Sequence, residues 1–150
     1  MVRWILAVLH LLGFGIALGS IWARALALRA PLEPAGIRRV LSADNWWGVS
    51  ALLLIGTGLV RAFGGLEKGT LYYTHNHYFW VKMGMLASIL LLEIMPMITF
   101  IKWRVRLAKH EPIAAVNGAT FAVTSVIQAA LIVGMMLAAA AMARGYGVTN

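Results

Sequence analysis

The chain contains no cysteine among its 150 residues. That absence excludes disulfides, thiolate metal centres, iron–sulfur clusters and cysteine nucleophiles together, and leaves any chemistry to histidine, carboxylate and lysine. Acidic residues are scarce as well: five Asp and Glu stand against thirteen Lys and Arg, and charged residues make up only 12% of the chain. An ordinary soluble domain carries about a quarter. With 61% apolar residues, a water-soluble globule is excluded. The resulting net charge of +8 does not point to nucleic acid, because the basic residues flank apolar runs and form no aromatic-interleaved patch. Anionic lipid headgroups are the partner that such flanking cations suit.

What the chain does have is four long apolar stretches, at about 4–28, 44–63, 78–103 and 116–142. Each can cross a hydrocarbon core of ~30 Å at ~1.5 Å per helical residue, and a helix satisfies its own backbone hydrogen bonds in lipid. The expected fold is all-α: one polytopic domain over residues 1–150, a four-helix transmembrane bundle. Arg3 before the first run and Ala25-Leu26-Ala27 near its end imitate a secretion signal. The run exceeds the ~7–15 apolar residues of a signal core, so it is expected to persist as a helix.

Charge sets an expected orientation. Arg24, Arg29, Arg38, Arg39, Lys102, Arg104, Arg106 and Lys109 cluster around the first and third connections, against Arg3, Arg61, Lys68, Lys82 and Arg144 on the other side. The positive-inside rule then leaves both termini outside a bacterial inner membrane. Trp22, Trp46, Trp47 and Trp103 would form the inner aromatic belt, and Trp4, Tyr72, Tyr73, Tyr78 and Trp80 the outer one. Pro34 opens a segment to Asp44 in which Ile37, Val40 and Leu41 recur at helical spacing, which reads as an extension of the second helix.

Gly15-xxx-Gly19 in the first span and Gly134-xxx-Ala138 in the fourth flatten helix faces for close approach, within the bundle or in a homo-oligomer. They are not a dinucleotide fingerprint, since no strand precedes them. No repeat with a period of 20–50 residues is present, although the spans pair naturally as two hairpins.

The ionisable residues inside the spans carry the functional question. His10 lies about two turns into the first helix, and Lys82, Arg61, His75 and His77 fall near the same level. Axial haem ligation in a bundle needs imidazoles on facing helices, for which His10 with His77 or His75 are the candidates. The plainer reading has His75 and His77 at the interface, Lys82 snorkelling outward and His10 bonded to a backbone carbonyl. A metal site on His75, His77 and Glu67 is a further candidate. Glu93, near the middle of the third span and followed by Pro96, reads either as a proton or cation site or as a carboxyl bonded to Gln128, Thr124 or Ser125. Asp44 reads as a cap of its helical turn or a partner for Arg24 or Arg38.

The ordered set Leu41 to Ala51, Thr57 to Phe63, Glu67-Lys68-Gly69, Tyr72-Tyr73, Asn76 and Phe79 to Met83 resembles the domain of unknown function 2214 family of bacterial inner-membrane proteins. Leu9-His10 and Phe100 to Arg104 extend the likeness over nearly the whole chain. That family is in turn distantly similar to four-helix units of the copper-resistance CopD type and of the membrane protoporphyrinogen oxidase type. The latter resemblance implies a haem- or porphyrin-handling redox unit, with His10 as the first-helix histidine and Lys82 as the motif lysine. Trp80 stands where the motif histidine would be, so His77 takes the second axial role in a b-type haem site, with Lys82 and Arg61 pairing its propionates. The alternatives from the residues alone are a non-catalytic structural or accessory membrane protein and a small proton-linked transporter centred on Glu93.

Overall fold

A computed structural model describes residues 1–65, 70–113 and 116–147. Helix α1 spans Val2–Arg29, α2 Pro34–Phe63, α3 Thr70–Thr74, α4 His77–Ala108 and α5 Gly118–Ala143. The four long helices are apolar and long enough to cross a membrane, and α3 is a single turn outside them. At ~1.5 Å per residue α4 is about 48 Å long and overshoots the ~30 Å hydrocarbon core.

Local chemistry explains the helix ends. Pro34 begins α2, where its fixed φ suits the first turn and its missing N–H costs nothing. The segment to Asp44 continues into the span without a break, as its periodicity predicts. Asp44 therefore caps nothing, because the N-cap is Glu33 eleven residues earlier. Helix α4 starts on Asn76, which is fully buried; its side-chain oxygen accepts from the Tyr78 N–H at 3.0 Å, and its amide donates to the Tyr146 carbonyl at 2.9 Å. The His77 N–H donates to the Gly147 carbonyl at 2.8 Å, so the turn after α5 is laced onto the start of α4. Gly147 holds φ +81 there, and a Cβ would collide with the Tyr78 ring. Only glycine meets both conditions.

Helix α1 packs against α2 and α5, α5 packs against α4, and α2 scarcely touches α4. The two hairpins thus join through α1 and α5, and their other helices diverge. Inward positions on α1 recur at helical spacing: His10, Phe14, Ala17, Ile21, Arg24 and Leu28. A central cluster of Phe14, Ile21, Trp47, Ile89 and Ile132 holds the middle, and a second of Leu28, Val40, Phe100 and Trp103 holds the end bearing the first connection. Large apolar side chains outside these clusters, such as Leu11, Leu52, Leu91 and Leu137, face outward, which suits a lipid solvent.

Two expectations change. Trp22, Trp46, Trp4 and Trp80 are exposed as belt residues should be, but Trp47 and Trp103 are buried in the core. They lie on helix faces turned to α1 and α5, which composition alone does not reveal. The two small-residue faces also part company. Gly15 and Gly19 look outward with nothing near an added Cβ, whereas Gly134 faces Met85 of α4 at 3.0 Å and Ala138 is buried. The α5 face is spent on packing inside the bundle.

Candidate functional site

Arg24 is fully buried among all four long helices. Moving a bare ion of this size from water to a medium of low dielectric costs of order 20 kcal/mol by the Born argument, so its surroundings must answer the charge. Arginine carries five N–H donors, and here five acceptors meet them. Nε donates to Ser125 Oγ at 3.1 Å; Nη1 donates to Asp44 Oδ1 at 3.0 Å and Glu93 Oε1 at 2.7 Å; Nη2 donates to Glu93 Oε2 at 2.8 Å and Gln128 Oε1 at 2.7 Å. The Glu93 pair is the two-pronged fork that a guanidinium and a carboxylate make best.

The partners are themselves held. Gln128 donates to Glu93 Oε2 at 2.8 Å and to the Ile89 carbonyl at 3.2 Å. Arg104 donates to Asp44 Oδ2 at 2.6 Å and to Asn45 Oδ1 at 2.8 Å. Two cations thus face two carboxylates, and the Trp47 and Phe100 rings stand 5.7 and 5.5 Å from the Arg24 guanidinium carbon. Among the described residues no buried side-chain nitrogen or oxygen lacks a partner. Thr124 stays outside the network, bonded to the Thr120 carbonyl.

Between the diverging α2 and α4 lies a cavity of about 390 Å³, walled at the back by α1 and α5. Its lining is mainly apolar, including Phe14, Leu54, Leu86, Ile132 and Met135. Asp44 and Glu93 line one end of it, and His10, Arg61 and Lys82 line the other with Tyr72 and Tyr73. Lys82 and Glu93 are eleven residues apart on α4, which separates the polar ends by about 16 Å. Lys82 does not snorkel outward; its Nζ stands 5.8 Å from the Phe14 ring centre, inside the bundle.

His10 is buried, with Nδ1 at 2.7 Å from Thr57 Oγ1. The threonine hydroxyl has a single hydrogen, which points to the Leu53 carbonyl. With its hydroxyl hydrogen on Leu53, Thr57 can accept from a His10 Nδ1–H, the tautomer that leaves Nε2 as an acceptor. For Nδ1 the partner on the neighbouring helix is the Thr57 side chain of α2, where the plainer reading expected a backbone carbonyl.

Three of the expected site residues, His10, Arg61 and Lys82, thus share one cavity wall. His77 does not join them: it is the first residue of α4, exposed, with its ring edge against Tyr78. His75 is exposed too, its Nδ1 near the Leu71 carbonyl and Thr74. Glu67 lies outside the described residues, and among those described no three His, Asp or Glu side chains gather as a metal site. Arg24, Asp44 and Glu93 come together as one cluster, with Arg24 fully buried and the two carboxylates partly open to the cavity.

Sequence reasoning offered Arg24 or Arg38, or a capping role, for Asp44 and Gln128, Thr124 or Ser125 for Glu93, but missed the Arg24–Glu93 fork and the part of Arg104. Arg24 falls on the stripe of Phe14, Ala17, Ile21 and Leu28 at helical spacing, which the structure turns inward.

The family described as predicted membrane protein, domain of unknown function 2214, matches residues 2–147. No curated protein and no solved structure matches the chain.

Proposed function

We propose that this chain, which belongs to the domain of unknown function 2214 family of predicted membrane proteins, is a membrane-embedded binding protein for an amphiphile with an anionic head. The observation that carries this reading is the apolar cavity between α2 and α4, with Arg61, Lys82 and His10 on the wall at one end. From the family premise, lipid surrounds the bundle, so the gap between these helices opens to the bilayer and not to water. A chain of methylenes suits the middle of the cavity; a carboxylate or phosphate suits the two cations, and His10 Nε2 suits a hydroxyl or acid proton on the same head.

Haem fits this wall less well. With its proton on Nδ1 and held by the Thr57 oxygen, His10 would match a metal-bound imidazole. The wall offers no second histidine among the described residues, and His77 is exposed. Proton-linked transport on Glu93 is disfavoured by the three hydrogen bonds that hold its carboxylate to Arg24 and Gln128.

A fluorescent polyene fatty acid titrated into the protein in non-ionic detergent tests the reading. Saturable binding of one per chain is expected, and Gly58→Phe should abolish it. A Cβ at Gly58 stands 3.4 Å from His10 Cε1, so the added ring fills the headgroup end. Equal binding by Gly58→Phe and the parent would remove the cavity as the site. A Soret band in protein from haem-replete cells would assign the cavity to a porphyrin instead.

We further propose that the termini face the outside of a bacterial inner membrane, on the imbalance of Lys and Arg between the two ends. A periplasm-active reporter fused after Tyr146 should be active, and a fusion active only in the cytoplasm reverses the orientation.

A further inference from the structure

A second depression lies between α1 and α2 on the outer surface of the bundle, a groove of about 490 Å³ bordered by Gly19, Ser20 and Ala23 of α1 and by Arg39, Ser42 and Trp46 of α2. It shares no lining residue with the cavity between α2 and α4. Nothing stands within 4 Å of a Cβ built on Gly19, so the floor is open. Arg39 is exposed and pairs with no acid among the described residues. Asp44, the acid nearest in sequence, is turned inward and held by Arg24 and Arg104. Trp46 is 57% exposed, with its indole beside the groove.

The levels along α2 match those of a lipid. Arg39 lies five residues into the helix, about 7.5 Å from its start, and Trp46 lies about 10 Å deeper. An unpaired guanidinium therefore stands at headgroup depth, with a shallow, small-residue channel and an amphipathic ring leading toward the hydrocarbon. We infer that this groove holds one anionic phospholipid, its phosphate on Arg39 with Ser42 beside it, and one acyl chain laid over Gly19 and Ala23 against Trp46.

A small-residue surface also suits a second copy of the chain, but charge disfavours that occupant. A two-fold axis along the membrane normal brings equal levels together, so Arg39 would face Arg39. The lining of the groove holds no acid to answer them, and like charges at a low-dielectric interface repel. A phospholipid with a net negative head supplies the missing charge.

Native mass spectrometry from mixed micelles holding phosphatidylglycerol and phosphatidylcholine reads the occupancy. The parent protein should retain one phosphatidylglycerol in preference to phosphatidylcholine. Arg39→Gln should weaken that retention about tenfold, the loss of one charge-assisted hydrogen bond. Gly19→Leu should displace the lipid with Arg39 still present, and Gly58→Phe, which fills only the other cavity, should retain it. Both substituted positions, Arg39 and Gly19, are exposed, so neither change disturbs the core. Unchanged retention by Arg39→Gln overturns the inference, as does loss of the lipid in Gly58→Phe, which moves it to the other cavity. A dimer that dissociates in Gly19→Leu with no change in lipid gives the groove to a second copy.

Discussion

Arg24→Met is expected to lower the unfolding free energy of this bundle by about 3–5 kcal/mol, the cost of leaving buried ions without their partner. The change leaves Glu93 without a cation and Asp44 with Arg104 alone, and removes a side chain of α1 that hydrogen-bonds to α2, α4 and α5. Methionine keeps the apolar stem but drops three heavy atoms of the guanidinium end, so a small cavity term adds to the loss of charge and hydrogen bonding. Arg24→Lys should recover only part of it. A lysine offers three donors from one point and cannot make the fork to Glu93, nor reach Ser125 and Gln128 together. The triple variant Arg24→Met, Asp44→Asn, Glu93→Gln should recover more, because replacing a whole ionic group is far cheaper than breaking it. Thermal unfolding in detergent ranks the four proteins. Parent-like stability in Arg24→Met would mean that the network carries little of the fold.

That network also marks the limit of what the sequence disclosed. The all-α fold and four membrane helices were legible because they follow from length and apolarity alone, which the solvent imposes on every residue. Helix α2 was legible back to Pro34, since Ile37, Val40 and Leu41 keep helical spacing. The partners of Glu93 were half legible. Gln128 was reachable by asking which polar residue on the last helix lay near the same depth. Arg24 was legible as a buried ionisable residue and as one of two possible partners for Asp44, but its reach to Glu93 was not. Its direction depends on rotation about the helix axis, and the inward stripe from His10 to Leu28 fixes that rotation only once the packing of α1 between α2 and α5 is known. The pairing of His10 with His77 failed for a related reason. Equal depth says nothing about azimuth, and the lacing of Gly147 onto His77 fixes the start of α4 with that side chain outside the bundle. The cavity was not legible at all. It exists because α2 and α4 diverge, a property of pairwise packing that no single helix records.

The double variant Lys82→Met, Arg61→Met should weaken binding of dodecanoate by about 100-fold while leaving dodecanol within about twofold. Each lost charge-assisted hydrogen bond is worth ~1.5–3 kcal/mol, and ~1.4 kcal/mol is tenfold in affinity. The contrast between the two ligands is what makes the result specific. They share the chain that would lie along Leu54, Leu86 and Ile132, and differ only at the head. Methionine keeps most of the apolar stem that each cation lays along the wall, so the shape of the cavity survives the change. The carboxylates that line the same cavity are about 16 Å from this end and are held by Arg24 and Arg104, so they do not compete at the headgroup position. A carboxylate head accepts charge-assisted hydrogen bonds, which a neutral alcohol does not. Equal loss of both ligands would show that the variant has deformed the cavity, and undiminished dodecanoate binding would show that Lys82 and Arg61 do not read the head.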